Sequence, residues 1–460
     1  MKRKYIYLFI GIFAFLTKLF IEFQTSLIPG INGGYFPVQI RSILENGKMA
    51  IPDVPIVFFF NAFIVKLFSL FVSDSEINNL TINVVKIVGA IAIPILLIPL
   101  YNIAQKITDK KISKLFEFSL VAFIVLSFSP LEFSSESMKN AFGLFFMIYF
   151  IYNYLNYIQE KSRRHLLLTL LSLMIIAITH FGVFSISMSL FIIGLVVMNK
   201  KKAIIPIIIT VVLGFIVISI FDMDRAKSLF FMWRHAFGLP YRLAFYPQGI
   251  INLLFSVYIV SIIIRVLRNS KNNIQDSHKK LLKIFLYLII ILIFPLYKFE
   301  LGRRFGLMLF VPQIIVLLLI YPYLKPKLRI IIPVIVLLIT TSSLIYSFTN
   351  PKQSSITQAA YNDLKNMSKE IVNPDKTIII TRHGIDWWAV WELKTKMAHP
   401  HIKKDDEMLA KYDNILILTQ KKGRNNLYPG INSPFIDPHV SDNSTLFYSS
   451  DFYDVYRFVK

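Results

Sequence analysis

The stretch YIYLFIGIFAFLTKLFIEF, residues Tyr5 to Phe23, follows Met1-Lys-Arg-Lys4 at the start of the chain. A helix of this length approaches the roughly 30 Å hydrocarbon thickness of a bilayer. The stretch is too long and too bulky for the apolar part of a signal peptide, and no small-residue cleavage site follows it. We expect a retained membrane helix whose N-terminus lies in the cytoplasm, because basic residues precede it.

The composition is that of a membrane protein. The chain has 460 residues, of which 55% are hydrophobic and only 17% are charged, and its mean hydropathy is +0.58. Soluble proteins carry about 25% charged residues. The composition therefore excludes a soluble enzyme, a disordered chain and a fibrous protein.

The net charge of +23 belongs to the apolar part of the chain. Residues 1–350 hold 35 Lys and Arg against 14 Asp and Glu, whereas residues 351–460 hold 15 against 13. Basic residues collect in the cytoplasmic loops between membrane helices. The excess therefore indicates membrane topology, and we expect no nucleic-acid partner.

Twelve apolar runs are candidate spans. If all twelve cross, the cytoplasmic segments carry 11 Lys and Arg and the external ones 21; if 54–73 does not cross, the numbers become 22 and 11. The preference for basic residues inside favours the second arrangement. We predict an α-helical polytopic membrane protein with about eleven transmembrane helices, N-terminus inside and C-terminus outside. The twelve runs are 5–23, 54–73, 82–103, 113–130, 140–157, 166–180, 182–198, 203–221, 249–267, 281–297, 305–324 and 330–347.

This topology divides the chain into two domains. Residues 1–347 form the transmembrane domain, and within it 24–80 form a large first external loop with amphipathic or interface helices. Residues 348–460 form a small soluble extracytoplasmic α/β domain, which we call the tail. Its predicted helices are Gln353–Lys369 and Trp387–Met397, and its predicted strands are Thr377–Thr381, Asn414–Thr419 and Leu446–Val459.

The first external loop contains a predicted helix and a constrained carboxylate. Phe36, Ile40, Ile43 and Leu44 recur at helical spacing, and Gly47 suits the end of that helix. Arg41 and Glu45 form an i,i+4 pair on another face. Asp53 follows between Pro52 and Pro55, which restrict the backbone around it.

These features resemble the first external loop of the GT-C glycosyltransferases, a superfamily that includes protein O-mannosyltransferases, aminoarabinose transferases and the catalytic subunit of oligosaccharyltransferase. The motif is Tyr35-x-x-x-Gln-x-Arg-x-Ile-Leu-x-x-Gly47, followed by Asp53-x-Pro55 and an apolar segment. Three later stretches resemble helices of that superfamily. They begin at Ser137, at Ile178-Thr-His180 and at Gly302-Arg-Arg304.

The resemblance implies a reaction and its partners. GT-C enzymes transfer a sugar from a polyprenyl-phosphate donor to a lipid, glycan or protein acceptor on the external face of the plasma or inner membrane. In these enzymes a carboxylate of the first loop serves as general base or orients the acceptor, and cationic side chains hold the donor phosphate. This chain departs from the pattern, because Asn32-Gly33-Gly34 stands where the family has an Asp. The alternative is a non-catalytic relative, or a flippase, ligase or transporter component for lipid-linked glycans.

Three carboxylates are candidates for the catalytic base, since a base must reach the acceptor hydroxyl. Asp53 comes first, although it could be an ordinary loop carboxylate. Glu22 ends the first span and could instead pair with Lys18. Glu136 precedes the helix that starts at Ser137 and could simply favour its N-terminus.

Basic and polar residues on the external side are candidates for substrate binding. Arginine binds two phosphate oxygens at once, so Arg303, Arg304 and Arg234 are the candidates for a donor-phosphate site. Their alternative role is to anchor the protein at the lipid headgroups. The resemblance adds Arg41 and Tyr35 in the first loop. His180 is an ionisable group at membrane depth, although it could be a packing histidine.

Evidence for a metal or for another reaction class is weak. A divalent cation is possible chemistry for GT-C enzymes, but the carboxylate pair Asp222 and Asp224 is a poor signal by itself and we assign no ligand. Trp387, Trp388 and Trp391 could stack on a sugar or anchor the tail. The chain has no Cys, and it contains no Gly-rich phosphate loop, Gly-x-Ser-x-Gly or His-Glu-x-x-His motif.

Overall fold

The computed structural model describes residues 2–108, 112–133, 137–198, 204–221, 223, 227, 236–238, 247–269, 274–398, 410–421 and 438–459. Within these residues the chain forms a helical bundle followed by a small mixed sheet. The helices are α1 Arg3–Phe23, α2 Tyr35–Asn46, α3 Ile56–Phe68, α4 Ile77–Ala92, α5 Leu97–Ile107, α6 Lys114–Leu126, α7 Phe128–Glu132, α8 Met138–Glu160, α9 Arg163–Ala177, α10 Phe181–Met198, α11 Ile204–Phe221, α12 Pro247–Arg268, α13 Asp276–Ile293, α14 Phe299–Met308, α15 Phe310–Ile320, α16 Leu328–Thr349, α17 Gln358–Met367 and α18 Asp386–Leu393.

Eight helical stretches of the described residues are long and apolar enough to cross a membrane, which agrees with an integral membrane protein. Three further predicted spans, 166–180, 203–221 and 281–297, coincide with α9, α11 and α13. The number eleven stays a prediction. The eight stretches are Arg3–Phe23, Asp74–Ile107, Lys114–Glu132, Met138–Glu160, Phe181–Met198, Gly249–Arg268, Leu301–Tyr323 and Leu328–Thr349.

The predicted interface segment 54–73 forms a shorter apolar helix, Ile56–Phe71, instead of a full-length span. Its side chains divide into two sets. Phe58, Ala62 and Val65 are buried at helical spacing, whereas Phe63 and Leu70 are exposed. An apolar face that the protein does not cover suits contact with lipid.

α1 and α16 run in the same direction. At one end the Phe20 and Phe348 rings lie 5.7 Å apart. At the other end Arg3 pairs with Glu117 near the start of α6, and the Ser113 amide of the same region donates to the Tyr321 hydroxyl, just before α16. If both helices cross the bilayer, the number of crossings from α1 to α16 is odd. An odd number of crossings agrees with the predicted eleven transmembrane helices and disagrees with twelve.

The helix predicted in the first loop is confirmed. α2 begins at Tyr35 and ends at Asn46, and Gly47 follows in the left-handed conformation with φ +68°. The Gly47 amide donates to the Ile43 carbonyl at 3.0 Å, which closes the last turn. Glycine tolerates this conformation because it has no Cβ.

The tail folds as an α/β unit around a five-stranded sheet in the described residues. The strand order is β2-β1-β3-β5-β4; β1 pairs in parallel with β2 and β3, and β3–β5 and β5–β4 are antiparallel. α18 connects β1 to β2. The strands are β1 Thr377–Ile380, β2 Lys396–Ala398, β3 Asn414–Gln420, β4 Ser444–Ser449 and β5 Tyr453–Phe458.

Three boundaries predicted for the tail were wrong. The helix predicted over 387–397 ends at Leu393, because Lys394 takes φ +56° and the chain returns as β2. The helix predicted over 353–369 begins only at Gln358, where the Thr357 hydroxyl accepts the Ala360 amide as an N-cap. The single strand predicted over 446–459 is a hairpin of β4 and β5.

The tail packs directly on the first loop. The Gly30 amide donates to the Gln353 carbonyl at 2.9 Å, and the Ser355 amide donates to the Gly30 carbonyl at 3.2 Å. These contacts place the loop and the tail at the same end of the bundle. That this end faces outward, and that the domains divide at 347, stay predictions.

Candidate functional site

Asp53 is buried in a hydrogen-bonded cluster between the first loop and α8. Its side chain is 1% exposed. The Tyr35 hydroxyl donates to Oδ2 at 2.5 Å, Lys139 forms an ion pair with the same oxygen, and the Val54 amide donates to Oδ1 at 2.7 Å. Both oxygens therefore accept hydrogen bonds from the protein itself.

Gln39 of α2 stabilises this cluster through hydrogen bonds. Its side-chain amide nitrogen donates to the Tyr35 hydroxyl at 3.0 Å and to the Ile51 carbonyl at 2.9 Å, and its oxygen accepts the Ile51 amide at 3.2 Å. The Lys139 ammonium also lies 5.3 Å from the centre of the Tyr35 ring and 5.1 Å from that of Phe58. A carboxylate held from so many sides suits an anchor of the loop better than a mobile base.

Glu22 lies in a different place, a small pocket between α1, α7 and the end of α16. The pocket has a volume of about 30 Å³, and its polar lining comes from Glu22, Glu132, Ser347, Asn350 and Lys352. A volume of this size holds about one water molecule. The site is therefore a narrow polar space at the end of the bundle where the tail begins.

Inside the pocket Glu22 pairs with Lys18, as its i,i+4 spacing predicted. The Lys18 ammonium lies 3.5 Å from Glu22 Oε1, and both side chains are fully buried. The same ammonium donates to the carbonyls of Leu131 at 3.0 Å and Phe133 at 2.9 Å. Lys18 thus joins α1 to the segment that carries Glu132.

Glu132 is the more accessible carboxylate of the pocket. Arg303 lies 3.3 Å from its Oε1 and Lys352 lies 3.5 Å from the same atom. The side chain of Glu132 is 25% exposed, and that of Arg303 is 34% exposed. The first helical turns of α14, the end of α7 and the chain just after α16 thus meet at one carboxylate.

The described residues around the pocket include more cations than carboxylates. Among the described residues, the carboxylates Glu22 and Glu132 meet four cations, which are Lys18, Lys86, Lys352 and Arg303. Lys86 donates to the Thr25 and Ser26 carbonyls and interacts electrostatically with Glu22. An excess of cations around a partly open space favours an anionic group, and the guanidinium of Arg303 suits a phosphate.

The described residues do not fit a divalent metal in the first loop. In those parts of the chain, no group of three or more His, Asp or Glu side chains could hold an ion. Asn32-Gly33-Gly34 stands where the resemblance implies an Asp, and the oxygens of Asp53 already accept protein hydrogen bonds. The pair Asp222 and Asp224 lies outside the described residues.

Arg41 contacts the tail. Its guanidinium donates to the carbonyls of Val390 and Trp391 near the end of α18 and lies 5.0 Å from the Trp391 ring. Burial lowers the pKa of Arg41, and the carboxylates of Glu45 and Glu392 oppose that shift. The described contacts of Arg41 are structural, so substrate binding by Arg41 stays a prediction.

The glycines that replace the expected Asp allow the tail to approach. A Cβ on Gly34 would lie 2.7 Å from the backbone carbon of Trp387 and 2.8 Å from the amide nitrogen of Trp388. A Cβ on Gly33 would lie 3.1 Å from the Trp388 ring. The Tyr35 and Trp387 rings meet at 4.7 Å. A glycine at position 34 therefore has a packing reason, which sequence reasoning missed.

The remaining predicted site residues that the structure describes are His180 and Arg304. The Nδ1 atom of His180 accepts the Val183 amide at 3.1 Å at the start of α10, as a packing histidine does. Arg304 is exposed beside Arg303. Glu136 and Arg234 lie outside the described residues. Their roles in catalysis or binding stay predictions.

Two residues of the Glu22 pocket, Glu132 and Lys352, were not among the site residues predicted from the sequence. Glu132 shares a loop with Glu136 but was not chosen, although the apolar residues on both sides of it mark it as unusual. Lys352 follows α16 after Pro351, and nothing in its local sequence indicates the contact with Glu132. The contact between these residues can be recognised only in the folded structure, where the ends of α7, α14 and α16 lie together.

Comparisons with known proteins found a solved structure of similar fold but no match by sequence. No family model matches the chain, and no curated protein matches its sequence. The crystal structure of the oligosaccharyltransferase of Archaeoglobus fulgidus, in complex with zinc and sulfate, is similar to this fold with a TM-score of 0.52. The match covers 84% of this chain and 62% of that one, at 10% identity, so the chain spans about three fifths of the length of that enzyme. The chain therefore shares the fold of that enzyme, as the resemblance of its sequence motifs predicted.

Proposed function

We propose that the protein is a membrane glycosyltransferase that moves a sugar from a polyprenyl-phosphate-linked donor to a lipid, glycan or protein acceptor. The reaction takes place at the external face of the plasma or inner membrane. The observation that carries the proposal is the convergence of Arg303 and Lys352 on Glu132, in a pocket that also contains Glu22. The GT-C-like fold supports the same reaction class.

Arg303 and Lys352 bind the donor phosphate in this mechanism. Both cations contact Glu132 in the structure, and the phosphate competes with the carboxylate for them. Charge-assisted hydrogen bonds to a phosphate are strong, and arginine can make two at once. Binding of the donor therefore releases the Glu132 carboxylate from its cations.

The released Glu132 is the general base. It accepts the proton of the acceptor hydroxyl while the acceptor oxygen bonds to the anomeric carbon of the sugar. The bond between that carbon and the phosphate oxygen breaks, and the polyprenyl phosphate leaves with the negative charge. Glu22 remains paired with Lys18 deeper in the pocket and keeps that end of α1 in place.

The test is a transfer assay on the purified protein with a polyprenyl-phosphate sugar and a mixture of acceptor lipids. Arg303→Gln and Lys352→Gln should raise the KM for the donor, whereas Glu132→Gln should lower kcat by about a hundredfold or more. Lys369→Gln, which removes an exposed cation of the tail, is the matched control and should leave both constants unchanged. Turnover by Glu132→Gln at the wild-type rate would eliminate Glu132 as the base.

A second candidate function is binding of a lipid-linked glycan without transfer. Two observations favour it, the Asn32-Gly33-Gly34 sequence in place of the family Asp and the enclosure of Asp53 by Lys139 and Tyr35. Mass spectrometry of co-purifying lipids separates the two functions when combined with the assay. A polyprenyl-phosphate sugar that is retained by the wild type, lost in Arg303→Gln and never consumed would indicate binding alone.

A further inference from the structure

A second cavity lies at the opposite end of α16 from the Glu22 pocket. Its volume is about 670 Å³, and it is bounded by α12, the turn Tyr321–Tyr323 and the start of α16. Leu328 at the beginning of α16 lines this cavity, whereas Asn350 just after its end lines the pocket of Glu22. The 22 residues of α16 span about 33 Å, so the two sites lie at opposite ends of the bundle.

One face of α12 forms half of the cavity. Tyr258, Ile262, Arg265, Val266 and Asn269 line it at helical spacing. Ile262 and Val266 are buried, whereas Arg265 and Asn269 are exposed near the end of the helix. The α12 side of the cavity is therefore apolar toward the middle of the bundle and polar at its end.

The turn between α15 and α16 forms the other half. Pro322, Tyr323, Leu324 and Lys325 line the cavity there. Arg329 stabilises this turn, because it donates to the carbonyls of Leu324 and Pro322 at 3.1 Å and lies 5.1 Å from the Tyr321 ring. Arg329 therefore holds the turn in place and does not line the cavity. Lys325 is the cation of the turn that does line it.

The lining selects a negatively charged, lipid-like molecule. Its described residues include the cations Arg265 and Lys325, the tyrosines Tyr258 and Tyr323, and no Asp or Glu. Two cations and two phenols can bind phosphate oxygens, and the buried aliphatic side chains suit a hydrocarbon chain. Among the described lining residues, no carboxylate could receive the ammonium of a zwitterionic headgroup. The volume lies in the usual range for a small-molecule site.

We propose that this cavity binds the phosphate headgroup of an anionic lipid, with the lipid chains along α12. Basic pockets between the helices at one end of a membrane protein bind such headgroups by charge and by hydrogen bonds. An anionic phospholipid and a polyprenyl phosphate share this chemistry, a phosphate ester on an apolar chain. The site is independent of the proposed transferase chemistry, because its residues lie at the other end of the bundle.

The test compares two double variants of the full-length protein in nanodiscs of phosphatidylcholine, with and without phosphatidylglycerol. Phosphatidylglycerol should raise the thermal midpoint of the wild type. Arg265→Gln/Lys325→Gln should abolish that rise and weaken phosphatidylglycerol binding by about tenfold or more. Arg268→Gln/Lys327→Gln removes two exposed cations from the same end without touching the lining and should keep the rise. Equal loss in both double variants would mean a general charge effect and would overturn the proposal.

Leu328→Trp provides a second test that leaves every charge in place. The indole fills part of the cavity, so the variant should also lose the stabilisation by phosphatidylglycerol. Retained stabilisation in this variant and in Arg265→Gln/Lys325→Gln would rule the cavity out. Mass spectrometry of lipids that remain on the wild type then identifies the source. A phospholipid that is lost only from the cavity variants indicates the bilayer, and a polyprenyl phosphate indicates a carrier lipid.

Discussion

The ammonium group of Lys139 at the start of α8 pairs with the carboxylate of Asp53, which the protein buries almost completely. The pair joins two segments that are 86 residues apart in the chain. Tyr35 donates to the same carboxylate from α2. The first loop is therefore fixed to the bundle by a charged anchor, and the protein must break that anchor before Asp53 could act as a base.

Removal of the Asp53 carboxylate should destabilise the protein. Asp53→Ala leaves the Lys139 ammonium without its partner in a largely closed site, which costs about 3–5 kcal/mol. Thermal unfolding in detergent should show a clearly lower midpoint. Asp53→Ala/Lys139→Met removes both charges and should recover most of the loss; Lys139→Met alone completes the double-mutant cycle. An Asp53→Ala protein with the wild-type midpoint and no transfer activity would instead assign Asp53 to the chemistry.

A side chain at position 34 should separate the tail from the first loop. In Gly34→Ala the new Cβ meets the backbone of Trp387 and Trp388, which cannot move aside as a flexible side chain could. Overpacking of this kind costs about 1–3 kcal/mol. Three of the four Trp residues lie in α18, so their fluorescence should shift to longer wavelength as the tail separates. Gly11→Ala, whose Cβ would make an ordinary 3.4 Å contact with Leu97, is the control and should leave the spectrum unchanged.

Arg41 should stabilise the same interface through its planar guanidinium. Arg41→Lys keeps the charge but loses the paired donors to Val390 and Trp391 and the stacking on Trp391. Limited proteolysis should cut the tail of Arg41→Lys faster than that of the wild type. Lys48→Gln in the same loop removes an exposed cation and should not change the rate. Wild-type resistance in Arg41→Lys, with weaker donor binding, would favour the substrate-binding role predicted from the motif.

The tail should lose stability at high pH through Tyr448. Burial, followed by the hydrogen bond to Asp363, raises the pKa of Tyr448 from 10.0 to about 12. Between these values the unfolded chain releases the proton and the folded chain keeps it. The stabilisation is therefore complete below pH 10 and is lost as the pH rises to 12. Unfolding of the wild type should become easier over this range more steeply than that of Tyr448→Phe, which has no proton to lose. If the stability of the wild type and that of Tyr448→Phe fell equally with pH, the raised pKa of Tyr448 would be contradicted.

Local sequence predicts the elements of this protein well and their contacts poorly. The spacing of Phe36, Ile40 and Ile43 with Gly47 predicts α2, and the i,i+4 spacing of Lys18 and Glu22 predicts their pair, because each signal lies within a few residues. Lys394 was missed as the end of α18 because a left-handed Lys has no sequence signature.

The candidate site depends on distant contacts that periodicity does not encode. Glu132 meets Arg303 and Lys352 only because three helix ends converge, and the glycine at position 34 is explained by the backbone of Trp387 and Trp388 in α18. Sequence reasoning therefore favoured Asp53, Glu22 and Glu136 over Glu132. Composition and motif can indicate which loops carry chemistry. They cannot determine which charges of those loops neutralise one another.

The parallel course of α1 and α16 predicts that the N-terminus and the tail lie on opposite sides of the membrane. The chain has no Cys, so single cysteines can be introduced without further changes. Lys2→Cys and Lys369→Cys place one thiol at each location, both at exposed positions. A membrane-impermeant maleimide applied to intact cells should label Lys369→Cys at once and Lys2→Cys only after permeabilisation, because basic residues before the first span favour the cytoplasm. The reverse pattern would keep the odd number of crossings and invert the orientation. Labelling of both thiols from the same side would mean an even number of crossings and would contradict the parallel course of α1 and α16.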